Sequence, residues 1–105
     1  MRCLHITSSA QAENELKRVG VDRPGIDAMI PKMENVNLLL EGIECKIANI
    51  LKQEMLSIGG DVAVARGSVS CSIDRTDAVI IGTMKQVRRL VEKIAPQPFT
   101  LREIS

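Results

Sequence analysis

The sequence predicts an α/β fold of the α+β kind, a two-layer sandwich in which helices pack on a mixed four-stranded sheet. Three observations carry this. Ile43, Ile47, Ile50, Leu51, Met55 and Ile58 recur at helical spacing, giving one long helix an apolar face. The stretches 61–65 and 78–82, rich in Val, Ile and Ala, have strand character. Gly59 and Gly60 separate helix from strand, since glycine takes the left-handed position that closes a helix. The expected element order is β-α-β-α-β-β-α.

Taken along the chain, residues 3–7 alternate and predict a first strand. Ser8 and Gln11 then stand as N-cap and N3 of a capping box. The helix they open has Ala12, Leu16 and Val19 on one face and stops at Gly20. Asp22, Pro24 and Gly25 open a second helix, which Pro31 limits to one or two turns, because the residue before a proline avoids helical geometry. Ile26, Met29 and Ile30 are its plug into the core. Residues 35–41 form the second strand, Gly42 turns the chain, and the long helix begins near Glu44. A strand returning to its sheet through a helix implies parallel neighbours and a right-handed crossover. The last two strands are close enough in sequence to form an antiparallel hairpin, with the fourth strand at a sheet edge. Thr83 and Gln86 make a second capping box, opening a helix with Val87, Leu90, Val91 and Ile94 inward and Pro96 as its end. Thr100 and Glu103 make a third. The reading is therefore one compact domain over 1–95, with 96–105 a Pro-x-Pro linker and the start of a helix leading to a domain absent here.

Composition narrows the function. The 105 residues carry a net charge of +1, with 45% hydrophobic residues, so a single domain with an aliphatic core is expected. There is no Trp, no Tyr and one Phe, which removes the aromatic faces that base or sugar stacking needs. Cys3, Cys45 and Cys71 are odd in number, widely spaced and without a C-x-x-C, so they read as free thiols of a reducing compartment. With no leader-like segment and no apolar run of about 20 residues, the expectation is a cytoplasmic protein away from membranes.

Motifs with chemistry are sparse. Gly59 and Gly60 precede a strand, the reverse of a phosphate loop, so they read as a helix cap. Gly82 and Thr83 do lie between strand and helix, but an ordinary N-cap accounts for Thr83. Asp61 fits an αβ turn where its carboxylate holds backbone N–H groups. Cys3 and His5 share one strand face, yet no third group orients them. His5 reads as a strand histidine against its sheet neighbours. No catalytic, metal or cofactor-binding residue is expected. The one candidate interaction face is Lys85, Arg88, Arg89 and Lys93 on the last helix; such a row is most often a solvated face, and the near-neutral chain disfavours nucleic acid as its partner.

The run 49–67, followed by 76–83 and by Gln97, Pro98 and Phe99, resembles the N-terminal domain that precedes the catalytic barrel in some bacterial dihydropteroate synthases. The likeness extends from about Gly20 onward and is strongest over 51–67. It implies a non-catalytic role in packing, interaction or oligomerisation within a folate-synthesis transferase, whose barrel condenses 4-aminobenzoate with a dihydropterin pyrophosphate. It also implies that barrel as partner on the same polypeptide. A homodimer is a separate expectation, resting on the fourth strand as a sheet edge that can pair with a second copy. The family's pterin-binding motifs belong to the barrel, so none transfers to a position of this chain. The element order also resembles small nucleic-acid-binding domains of the Alba type, the alternative reading.

Overall fold

A computed structural model describes residues 1–68 and 70–95. The order is α1 (Ser9–Val19), α2 (Arg23–Met33), β1 (Asn35–Glu44), α3 (Cys45–Ile58), β2 (Asp61–Val64), β3 (Arg75–Thr83) and α4 (Met84–Ile94). Among the described residues the sheet has three strands, ordered β1-β3-β2, and both pairings are antiparallel. The expected mixed four-stranded sheet is therefore corrected. The predicted β2–β3 hairpin is present. The predicted fourth strand, β3, is the central strand and not an edge. β1 and β2 run in the same direction through α3, but β3 lies between them, so the crossover does not make parallel neighbours.

The missing strand has a local reason. Residues 3–7 pair with nothing in the sheet, and Cys3, Leu4 and His5 are exposed. Thr7 donates its N–H (2.7 Å) and hydroxyl (2.9 Å) to Gln11 Oε1. The segment thus leads into α1. The Gln11 N–H donates to Ser8 Oγ at 3.2 Å, so half of the capping box forms, while the Gln11 amide oxygen serves Thr7. Gly20 closes α1 at φ 95°, its N–H reaching Leu16 and Lys17 carbonyls. Val19 does not point inward; it is 80% exposed.

α2 runs eleven residues, well past the expected one or two turns. Asp22 accepts from the Gly25 N–H at 2.8 Å, and Pro24 sits where no N–H partner is needed. Pro31 lies inside the helix, close enough to its end that only Lys32 and Met33 follow. Packing of α2 on α1 and α4 outweighs the lost bond. Of the expected plug, Ile26 is buried, Ile30 half-buried and Met29 exposed.

β1 continues through Gly42 as a bulge between Leu40 and Ile43, so Ile43 is buried from a strand and not from the helix. Gly42 has φ 61°, and its N–H donates to Asp77 Oδ1 on β3 at 2.9 Å. α3 then buries Ile47, Ala48, Leu51 and Met55 against Val62, Ala78 and Ile80 of the sheet and Val87, Leu90 and Ile94 of α4. Val91 faces solvent at 49% exposure, contrary to expectation. Gly59 caps α3 at φ 105°. Gly60 lets the chain pass β3 closely: a Cβ there would sit 2.7 Å from the Ile81 carbonyl oxygen. α4 carries the full predicted capping box, Thr83 N–H to Gln86 Oε1 at 2.9 Å and Gln86 N–H to Thr83 Oγ1 at 3.2 Å. The third predicted box, at Thr100 and Glu103, lies outside the described residues.

The cysteines overturn a second expectation. Cys45 and Cys71 form a disulfide, with Cα atoms 5.7 Å apart, and only Cys3 is free. The sequence spacing of 26 residues hid this, because only the fold brings Cys71 against the N-terminus of α3. Cys45 N–H donates to the Asp74 carbonyl at 2.9 Å, fixing the same approach.

Candidate interaction surfaces

The alternation of β3 gives the sheet two unlike faces. Thr76, Ala78 and Ile80 point toward α3 and α4 and are buried. Asp77, Val79 and Ile81 point the other way. The register aligns Leu39, Val79 and Ala63 as one row across all three strands, and Asn37, Ile81 and Asp61 as the next. On this outer face Leu39 is 58% and Ile81 42% exposed, and Ala63 is exposed as well. An apolar strip thus crosses an open sheet, bounded by Asn37, Asp61 and Asp77. Asp61 accepts from the Val62 N–H at 2.7 Å and from Lys52 Nζ at 3.1 Å. These, the backbone contact first, hold its carboxyl below the usual carboxylate range. The αβ-turn reading of Asp61 is met.

The structure divides the predicted basic face of α4. Lys93 Nζ turns back to Glu54 Oε2 at 3.1 Å and Ser57 Oγ at 2.8 Å, tying α4 to α3. Arg89 pairs with Glu92 at 3.1 Å. Lys85, Arg88 and Arg89 line an open groove of about 400 Å³ between α2 and α4, together with Asp27, Ala28, Pro31 and Glu92. Three cations therefore share one groove with two carboxylates, and Asp27 is already held by Arg23 at 2.6 Å. The mixed lining gives no uniform positive field for a polyanion.

Two further concavities lie among the described residues. One, of about 450 Å³, opens beside the disulfide and is lined by Glu44, Lys46, Asp74 and Arg75. The other, of about 290 Å³, brings Cys3 and His5 to one rim with Glu15. His5 is not a strand histidine, since its segment is not a strand. No hydrogen bond joins Cys3, His5 and Glu15 among the described residues, so no nucleophile–base relay is assembled. Among those residues no three His, Cys, Asp or Glu side chains gather as a metal site, and no helix is long and apolar enough to cross a membrane. The outer strip is not legible in the sequence, because which of the apolar residues alternating along β3 are exposed depends on which face the helices choose.

Similarity searches point in one direction. The chain is 31% identical over 93 residues to a bifunctional dihydropteroate synthase/dihydropteroate reductase of Helicobacter pylori, covering 89% of this chain and 24% of that protein. It is 34% identical over 99 residues to a probable bifunctional folylpolyglutamate synthase/dihydropteroate synthase of Halobacterium salinarum, covering 94% of this chain and 12% of that protein. Both are multidomain fusions, and dihydropteroate synthase is the activity common to their names. The chain spans about a quarter and an eighth of these relatives. No family model matches the sequence, and no solved structure matches the chain.

Proposed function

We propose that residues 1–95 form an accessory domain of folate synthesis that works beside a dihydropteroate synthase barrel, with 96–105 as the link toward it. The observation carrying this is that two otherwise different fusions share dihydropteroate synthase and share a stretch matching nearly all of this chain. In this reading the chain does not perform the condensation. The resemblance assigns the family's pterin-binding motifs to the barrel, and the charged groups that line the cavities here are of mixed sign, Glu44, Lys46, Asp74 and Arg75 in one and Asp27, Lys85, Arg88, Arg89 and Glu92 in another. The outer strip of Leu39, Val79 and Ile81 is the surface offered to the barrel: an apolar patch with a polar rim fits an interface within a larger protein. The test is titration of the chain against the barrel, with binding expected for the native chain and lost in Ile81→Lys. Equal binding by both proteins would remove the strip from the account.

A second reading rests on the name of the Helicobacter pylori relative. The 93 matched residues are 24% of that protein, leaving about 300 residues, close to the roughly 250 of a typical barrel. The matched stretch is then the part available to the reductase activity. A hydride donor would have to be held jointly with the barrel, because this chain has neither a dinucleotide glycine loop nor aromatic stacking faces. Reduction of dihydropteroate by barrel plus chain, and not by the barrel alone, supports this reading; the same rate without the chain removes it. The alternative of an Alba-like nucleic-acid module has the divided α4 face against it, and a gel shift at low salt decides it. The disulfide withdraws the free-thiol argument for a reducing, cytoplasmic setting.

A further inference from the structure

We infer that the β1 edge, which pairs with no strand among the described residues, is a self-pairing surface, on which a second copy of this chain adds its own β1 antiparallel to make a continuous six-stranded sheet. The sheet has two outer edges, and they differ. β2 is four residues long, and such short edges pair poorly. β1 is ten residues long, and over 35–40 it has no proline, no charge and no bulge, the usual devices that blunt an edge. Its bulge comes later, between Leu40 and Ile43.

Leu38 identifies the occupant. It lies on the helix-covered face, opposite buried Ile80, yet it is 42% exposed. Among the described residues its inner neighbour, Ile80, is present and no outer one is. A two-fold axis perpendicular to the sheet through Leu38 keeps the helices of both copies on the same side. It sets Leu38 beside the partner's Leu38 and Val36 beside the partner's Leu40. On the outer face it sets Asn37 beside the partner's Leu39. Glu41 then meets the partner's Asn35, so no like charges face each other. The strand is thus complementary to itself in one register, as a two-fold interface requires.

The test is sedimentation of the chain across a concentration series, with a Leu38→Lys variant alongside. The native chain is expected to shift from monomer to dimer. Leu38→Lys faces two ammonium groups across the axis and should weaken association by about 100-fold or more. A Leu38→Cys variant in a Cys3→Ser background, which removes the exposed thiol, keeps the register testable if the lysine disturbs folding. It should cross-link to itself under mild oxidation, whereas Leu39→Cys in the same background should not, because its two copies are offset along the strand. A native chain that stays monomeric, a dimer indifferent to Leu38→Lys, or equal cross-linking at 38 and 39 each overturns the proposal.

Discussion

Adjacent residues of β3 lie in opposite environments. Ile80 is 4% exposed under α3 and α4; Ile81, its neighbour, is 42% exposed on the open face. Both are isoleucines on the same strand, so composition cannot distinguish them. The covered face is where removal of a methyl group is felt throughout the core. The open face keeps apolar surface that the isolated fold does not need, and the proposed function assigns that surface to a partner.

Substitutions sharpen that contrast. The largest effect is expected at Leu51, fully buried between sheet and α4. Leu51→Ala should cost about 3–5 kcal/mol in denaturant unfolding, through lost transfer energy and a cavity. Cys71→Ser should cost about 3 kcal/mol, because the disulfide closes a loop of 26 residues; the loss should vanish when both proteins are compared under reducing conditions. Thr83→Ala removes the acceptor of the Gln86 N–H and should cost about 1 kcal/mol, read as a lower urea midpoint. On the open face, Ile81→Lys should stay within about 0.5 kcal/mol of the native chain while abolishing binding to the barrel. An Ile81→Lys loss as large as that of Leu51→Ala would break the comparison.

The smallest effect is electrostatic. Asp61 and Glu13 both have depressed carboxyl pKa values in the folded state, Glu13 through its hydrogen bond and charge contact with Arg23. A depressed folded pKa gives stability that is present above the unfolded value and lost as pH falls through the folded one. Stability should therefore decline from below about pH 4, the unfolded carboxylate range, and flatten in Asp61→Asn. Both groups are on the surface, so the decline should shrink with added salt.

Local signals in the sequence carried far. Caps at Ser8, Asp22 and Thr83 and the glycine stops at 20 and 59 marked helix ends, because each depends on a few neighbouring residues. Long-range outcomes were not legible. Alternation at 3–7 looked like a strand, but a strand needs a partner edge, and Gln11 claimed Thr7 instead. Pro31 looked like a helix limit until tertiary packing carried α2 past it. The Cys45–Cys71 contact depends on a turn whose path no spacing rule gives. The basic row on α4 was visible as a charge pattern, but its division between Glu54, Glu92 and the α2 groove required the fold. The outer strip was missed because both faces of β3 carry apolar residues.

The measurement that bears most directly on the proposed role is dihydropteroate formation from 4-aminobenzoate and the dihydropterin pyrophosphate, by the chain alone, by the barrel alone and by the two together. The account predicts no turnover from the chain alone, and a change in the barrel's rate or affinity on adding the native chain but not Ile81→Lys. Turnover by the chain alone, or a barrel indifferent to its presence, would contradict it.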